Sequence, residues 1–588
     1  MAIENLITDH LDLWTAAVRP KSTAGRGNNS KLELTGIKKL RELILELAVR
    51  GKLVPQDPSD EPASALLARI AAEKARLVKE GKIKKPKALP EIREEEKPFE
   101  LPEGWEWQRL GAIGFTQTGG TPSKSSQEYF GNDIPFIKPG DISDTSVIYD
   151  NEGLSTLGAE KLGRLAPSGS ILMVCIGTIG KCNKIDRLCA FNQQINSVTP
   201  YVEIYDFLHK CLSSSYFQAL AWENSSSTTI AILNKGKWEV QPVPLPPISE
   251  QHRIVAKVDE LMALCDQLEQ RSESQLAVHQ TLVETLLATL TDSCDADELT
   301  QNWARLSTHF NTLFSTEASI DALKQTILQL AVMGKLVPQD PSDEPASALL
   351  ERIAAEKAQL VKEKKIKKEK PLPAISEEEK PFGLPQGWEW CRLEHISEVI
   401  TKGSSPKWQG VNYTDNSEDV LFVTSENVDA FRLKFDNEKY VERHFNEIES
   451  RSILKKNDIL MNIVGASIGR TAIFDVDKVA NINQAVCLIR IMRGASSLVY
   501  LLNFFNSIIC VSYMYDKQVD NARANLSMGN IAQFVIPIPP LEEQHRIVAK
   551  VDELMTLCDQ LKARLQTSQQ TQLALAESLA EAALEGSL

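Results

Sequence analysis

Apolar residues step by four and three along two widely separated stretches: Ile254, Val258, Leu261, Cys265 and Leu268, then Ile547, Val551, Leu554, Cys558, Leu561 and Leu565. A stripe of that period is the seam along which one helix buries against another. Each follows a proline pair, Pro246-Pro247 or Pro539-Pro540, where helix starts are favoured. The pattern predicts two helices of about 40 residues, about 60 Å long at 1.5 Å per residue, paired along their stripes. Packing of each stripe on its neighbouring domain alone is the plainer alternative. A second apolar pattern, Leu40, Leu43, Ile44, Leu47 and Ala48 with counterparts Leu323, Thr326, Ile327, Leu330 and Ala331, predicts a helix running into each GKLVPQ. The turn-rich QDPSDEP follows, and then a further predicted helix, ASALLARIAAEKARLVKE in the first copy.

These patterns occur twice because the sequence does. Residues 44–110 recur with few changes at 327–393, and EQHRIVAKVDELM at 250–262 returns at 543–555, each copy followed by LCDQL. Repeats of this kind fix the architecture before any local reading. The centre of the chain consists of an EQHR helix followed by a GKLVPQ unit. The C-terminal segment supplies a second EQHR helix and the N-terminal segment a second GKLVPQ unit, so tail plus head re-create the central block. The chain reads as a circle cut open, with a pseudo-twofold axis, neighbouring termini, and an equivalent partner site on each half. The organisation expected is a conserved helical region (1–103), an insert domain (104–247), a central conserved helical region (248–386), a second insert domain (387–540) and a C-terminal conserved helix (541–588).

The inserts resemble each other only through a skeleton. IPFIKPGDI (134–142) aligns with VLFVTSENV (420–428), SGSILM (168–173) with KNDILM (456–461), IGK (179–181) with IGR (468–470), FNQ (191–193) with INQ (482–484), and LNKGKW (233–238) with LSMGNI (526–531). Short β-rich runs and glycine turns predict strands, with helices in HKCLSSSYFQALAW and YLLNFFNSIICVSYMY. The fold class expected is mixed α/β: two β-rich α/β domains joined by a long antiparallel helical coiled coil with circular pseudo-symmetry.

Charge refines this picture. The net charge of −14 speaks against a free-standing nucleic-acid binder, which is usually basic. Residues 104–247 hold 11 Lys/Arg against 13 Asp/Glu, and 387–540 hold 16 against 18, so each insert nets only −2 and the frame carries the rest. The lysines at 79–87 and 362–368 invite a phosphate-binding reading, but the acids Glu94–Glu96 and Glu377–Glu379 follow closely and favour a solvated linker. Ten cysteines without paired spacing point to reduced thiols and a cytoplasmic protein. No apolar run approaches the roughly 20 residues of a membrane helix, and an acidic N-terminal stretch offers no targeting segment.

GGTPSK (119–124), the FNQ/INQ element, PLPP-x-x-EQHRIVAKVDEL and its second copy, and the doubled GKLVPQ unit together resemble the DNA-specificity subunit of type I restriction–modification enzymes, in the subgroup whose conserved repeat extends to the N-terminus. The resemblance covers essentially the whole chain. It implies that each insert is a target-recognition domain reading one half of a split, asymmetric DNA site, and that the conserved helices form an antiparallel coiled coil setting the spacing. It also implies two methyltransferase subunits and two restriction/translocase subunits as partners, which would bring S-adenosylmethionine, ATP and Mg. No cofactor or metal is expected on this chain. The second domain departs from the pattern, with GSSPKW (403–408) in place of GGTPSK.

Residue chemistry then nominates DNA contacts. In the first domain they are Thr121, Ser123 and Lys124 in the glycine loop, Lys138 after IPFI, and Asn192, Gln193 and Gln194. In the second they are Ser404, Ser405, Lys407, Thr424, Ser425, Asn427, Asn483 and Gln484. Asn and Gln bond adenine bidentately, Lys bonds guanine, and small hydroxyls reach bases or phosphates. Lys181 and Arg470, beside glycines, suit phosphates. A buried amide network and a plain turn are the competing structural readings of these loops. No methyltransferase N/D-P-P-Y/F signature, glycine-rich cofactor loop or G-x-x-x-x-G-K-[ST] loop occurs in the sequence. His252 and His545 occupy equivalent frame positions, where contact with a partner or a neighbouring helix is expected. The reading is a non-catalytic recognition subunit; the alternative is a protein-assembly scaffold without DNA readout.

Overall fold

The computed structural model describes residues 3–20, 32–85, 87–123, 125–226, 230–294, 296–366, 371–516 and 525–585. The chain divides into two compact units, Met1–Gln275 with Thr567–Leu588, and Leu276–Gln566. The principal helices are α1 (Thr35–Val49), α2 (Ala63–Lys79), α3 (Tyr205–Ser213), α4 (Ser215–Glu223), α5 (Ile248–Asp292), α6 (Glu317–Val332), α7 (Ala346–Lys362), α8 (Leu498–Phe505), α9 (Ile508–Asp516) and α10 (Leu541–Glu585). The long helices α5 and α10 each run for 45 residues and begin directly after their proline pairs. Among the described residues no single helix is long and apolar enough to cross a membrane.

The apolar stripes are buried, as their period requires. Ile254, Val258, Leu261, Cys265 and Leu268 of α5, and Ile547, Val551 and Cys558 of α10, are at most 8% exposed, whereas Leu554 and Leu561 are half-buried. In the second unit, Ile547, Val551 and Cys558 belong to one core with Leu323, Ile327 and Leu330 of α6 and Val283, Leu287 and Leu290 of α5. In the first unit, Arg41 of α1 bridges to Asp266 (2.6 Å) and Glu269 (2.7 Å) of α5. All ten cysteines are free thiols and only Cys294 is exposed; burial pushes Cys265 up to about 11.

The repeated motifs meet one another inside each unit. Trp105 of the first GWEW donates its indole N–H to Glu250 (2.9 Å), which also accepts from Gln56 (3.1 Å). Trp388 and Gln339 do the same to Glu543 (3.0 and 3.1 Å). The next residues, Gln251 and Gln544, bond the Pro246 and Pro539 carbonyls, and Arg253 and Arg546 clasp Asp60 and Asp343 of the QDPSDEP turns at 2.7 Å. His252 and His545 are exposed between them. The acids after each lysine cluster are anchored: Glu96 forks Arg109 (2.8 and 2.9 Å), and Glu379 forks the buried Arg392 (3.0 Å twice). The described lysines of those clusters are exposed.

Each insert carries two four-stranded sheets and a two-stranded one at its boundary. In the first, the strands are β1 (Gly114–Thr118), β2 (Phe130–Ile137), β3 (Gly153–Leu154), β4 (Leu165–Ala166), β5 (Ile171–Val174), β6 (Cys182–Lys184), β7 (Cys189–Phe191) and β8 (Ile195–Pro200). They form an antiparallel sheet β1-β8-β5-β6 and a mixed sheet β3-β2-β7-β4, in which β7 runs parallel to β2. In the second, they are β9 (Ser397–Lys402), β10 (Tyr413–Thr414), β11 (Val420–Val423), β12 (Tyr440–Val441), β13 (Asp458–Asn462), β14 (Thr471–Phe474), β15 (Ala480–Ile482) and β16 (Val486–Ile491). The sheets there are β9-β16-β13-β14 and β10-β12-β11-β15, with β15 parallel to β11. IPFI and VLFV are therefore the same strand, as are SILM and DILM, and FNQ and INQ leave the same strand end. The strand that opens each insert pairs with the one that closes it, Glu106–Arg109 with Pro242–Leu245 and Glu389–Arg392 with Val535–Ile538.

Candidate nucleic-acid interface

Three loops converge at the end of the mixed sheet in each insert. In the first domain, β2 and β7 run in parallel and end side by side, so the residues after them, Lys138 and Asn192, are neighbours. The Asn192 amide donates to the Ile137 carbonyl (3.0 Å). The glycine loop closes over them through Gly119 N–H to Ile195 O (3.0 Å) and Gly120 N–H to Phe191 O (2.9 Å). A Cβ on Gly119 would lie 2.2 Å from the Asn192 carbonyl, which is why the loop opens with glycine. The second domain repeats the approach: Asn483 N–H bonds Val423 O (3.0 Å), and a Cβ on Gly403 would lie 1.8 Å from Ile482 O.

The nominated side chains sort into exposed and internally bonded groups. Thr121 is exposed and donates to the exposed Gln193 (2.5 Å), and Ser123 is exposed beside Ser125 (2.7 Å). Lys124 lies outside the described residues. Lys138 is half-buried and ion-paired with Glu152. Asn192 is 7% exposed and exchanges hydrogen bonds with Gln194, accepting from its N–H (3.0 Å) and donating to its side chain (3.1 Å). Lys181 is exposed.

In the second domain Lys407 and Arg470 are exposed, and Ser405, Ser425, Asn483 and Gln484 are half-buried. Asn483 accepts from Ala485 N–H (3.0 Å), the same turn brace that Asn192 makes. Ser404, Thr424 and Asn427 are buried. Ser404 accepts from Gln409 (2.9 Å), and Asn427 accepts from Thr424 and donates to the Lys434 carbonyl (3.0 Å). Asp429 gathers Lys434 and Arg470 (3.4 Å) around one half-buried carboxylate. Sequence reasoning did not single out Asp429, Lys434 or the hairpin that carries them, because no period or motif marks a four-residue tip.

Two sheet-rich domains of equivalent strand order, each with a loop cluster at one sheet end and each framed by the same motifs, describe a double recognition architecture. Residues 102–277 and 385–568 match the family described as Type I restriction modification DNA specificity domain. The chain belongs to the specificity subunits of type I restriction–modification systems. It is 44% identical to the Type I restriction enzyme EcoAI specificity subunit of Escherichia coli, over 99% of this chain and all of that one. It is 43% identical to the EcoEI specificity subunit of the same organism, again over 99% of this chain and 100% of that relative. A solved chain of a type I R-M system aligns over 84% of this chain and 100% of its own length at 17% identity, with a TM-score of 0.47.

Proposed function

We propose that the two insert domains are target-recognition domains that read the two unlike halves of a split, asymmetric site in double-stranded DNA. The observation that carries this is the pairing of a repeated frame with two domains of shared strand order whose exposed loop residues differ. The subunit itself is non-catalytic and works in the cytoplasm. Two methyltransferase subunits dock on the repeated frame and two restriction/translocase subunits complete the complex; S-adenosylmethionine, ATP and Mg act on those partners.

The helices α5 and α10 act as an antiparallel coiled coil and set the spacing of the two readers. Supporting this, the first unit combines the N-terminal part of α5 with the C-terminal part of α10, and the second unit holds the converse halves. A 45-residue helix spans about 67 Å at 1.5 Å per residue, enough to hold half-sites about 34 Å apart on one face of B-DNA. Ile254, Val258, Leu261, Cys265, Leu268, Ile547, Val551, Leu554, Cys558 and Leu561 form the apolar face of this ruler.

Thr121, Ser123, Lys124, Gln193, Gln194, Ser405, Lys407, Ser425 and Gln484 make the base-edge and sugar contacts, and Lys138, Lys181 and Arg470 hold phosphates. Asn192, Asn483, Ser404, Thr424 and Asn427 shape the loops that present them. The test is co-expression with the cognate methyltransferase subunit and mapping of methylated adenines by single-molecule sequencing. One motif with two unlike halves is expected. A stable, assembled complex that leaves no motif overturns the proposal and favours an assembly scaffold.

A further inference from the structure

Both inserts carry a short hairpin at the same point, just after the strands β2 and β11. In the first domain Ile142 bridges Val147, and in the second Val428 bridges Leu433. Each closes a four-residue tip through the same backbone bond, Ser143 N–H to Ser146 O (2.9 Å) and Asp429 N–H to Arg432 O (3.0 Å). The scaffold is held constant while the tip is replaced: Ser-Asp-Thr-Ser in one domain, Asp-Ala-Phe-Arg in the other.

The first tip is cross-bonded by its own hydroxyls, with Ser143 Oγ accepting from Ser146 N–H (3.0 Å) and the Ser143 carbonyl accepting from Asn183 (2.8 Å). The second is different. Phe431 sits at φ 67°, a left-handed conformation that a bulky aromatic residue rarely adopts. Its N–H bonds the Thr471 carbonyl (2.9 Å), which pins the tip to β14 and holds the conformation in place. The ring gains little from the core in return, since it is 40% exposed. Strain of this kind persists where surrounding contacts over-determine it, and such positions cluster at functional sites. The electrostatics point the same way. The Arg432 side chain is 72% exposed and stands 3.9 Å from Asp429, whose carboxylate is also paired with Lys434 and lies 3.4 Å from Arg470. Three cations thus surround one carboxylate at the foot of an exposed aromatic ring.

We propose that the Asp429–Arg432 hairpin is the reading head for the second half-site and that Phe431 sets its specificity. A two-stranded ribbon fits the DNA major groove, and the apolar group displayed there is the thymine methyl. Phe431 lies against that methyl, and Lys434 and Arg470 hold the phosphates beside it. The first domain, with no aromatic at its tip, reads its half-site without this contact. The inference rests on the DNA-reading function proposed above.

The test uses the complex with the methyltransferase subunit. Phe431→Gly relieves the φ strain, so its thermal midpoint is expected to match or exceed that of the parent chain. Phe431→Asn supplies a second residue tolerant of left-handed backbone. Methylation mapping should show both variants relaxed at one or two positions of one half-site, with the other half intact. Binding of the parent target duplex should weaken about tenfold or more, the scale of one mismatched base pair. Deoxyuridine in place of thymine at the relaxed position should weaken the parent complex similarly. An unchanged motif and affinity in both variants, damage to both half-sites alike, or indifference to deoxyuridine overturns the assignment. An assembled parent complex with no motif at all removes the DNA-reading function instead, and this inference with it.

Discussion

The indole N–H of Trp105 donates to the carboxylate of Glu250 at 2.9 Å, joining the motif that opens the first insert to the helix that follows it 145 residues later. Trp388 and Glu543 make the same bond at 3.0 Å. Both glutamates are 1% exposed and each holds a second donor, Gln56 or Gln339. Each insert is therefore clamped at its two ends by residues that belong to the repeated frame. This lets the insert diverge while its attachment does not change.

The clamp should be costly to break, and equally so in both copies. Glu250→Ala orphans the buried Trp105 indole N–H and removes one bond of the exposed Gln56, whose amide still donates to the Gly51 carbonyl (2.6 Å), so the loss is ~1–3 kcal/mol. Glu543→Ala should match it, because its partners repeat one for one. Denaturant titration of the two variants checks this. A loss confined to one copy would show that the clamps are not equivalent.

The acidic residues at each clamp respond to pH in opposite senses. The Arg392 guanidinium, followed by the Ser376 N–H, holds the Glu379 carboxyl down to about 2 from the usual 4.5. A depressed folded-state value contributes stability that is fully present above pH 4.5 and is lost as pH falls toward 2. Burial, opposed by the bonds from Trp105 and Gln56, raises Glu250 above its usual value; Glu543 is raised in the same way. Their contribution is present at acid pH and lost as pH rises through the raised value. Glu379→Gln should flatten the acid limb of a stability profile between pH 2 and 4.5 while leaving the rise-side dependence intact. An unchanged acid limb would mean that this pair does not govern it.

Much of this was legible in the sequence because period and repetition leave marks. The four-and-three spacing from Ile254 to Leu268 gave a buried helix face, and the alignment of IPFI with VLFV and of FNQ with INQ gave strands that occupy the same places. Contacts between residues far apart in sequence leave no such mark. Glu96 and Glu379 looked like part of a solvated acidic run, yet their neighbours are exposed while these two fork Arg109 and Arg392. Likewise Thr424 and Asn427 have the chemistry of base readers, and their burial and mutual bonding became visible only when the turn after β11 was folded. The hairpin tips carry no period at all.

That division separates two kinds of variant. Arg470→Ala and Lys181→Ala should leave folding intact and reduce the slope of log affinity against log salt by about 0.9 for each phosphate no longer neutralised. Asn427→Ala instead removes an acceptor and a donor from a buried turn, and should destabilise its domain by about 1–3 kcal/mol with no change in that slope. Salt titrations of DNA binding beside thermal melts distinguish them. A stable Asn427→Ala complex with an altered motif would move that residue from shaping the loop to touching the base.

Residues 1–275 and 567–588 share one compact unit, and within it Lys52 donates to the Leu584 carbonyl near the end of α10. In the other unit Lys335, its repeat counterpart, donates to the Thr291 and Ser293 carbonyls (2.6 and 2.9 Å) at the end of α5. A lysine at a helix C-terminus satisfies carbonyls that have no partner within the helix and complements the dipole. The segment that closes the central block thus closes the terminal one as well, although a covalent bond joins the two parts only in the centre. Joining Leu588 to Met1 through a short flexible linker and reopening the chain within residues 362–370 should therefore yield a folded subunit that still co-purifies with the methyltransferase and directs it to the same motif. A permutant with the parent's circular dichroism and melting point that no longer binds its partner would show that the frame is not equivalent at its two closures.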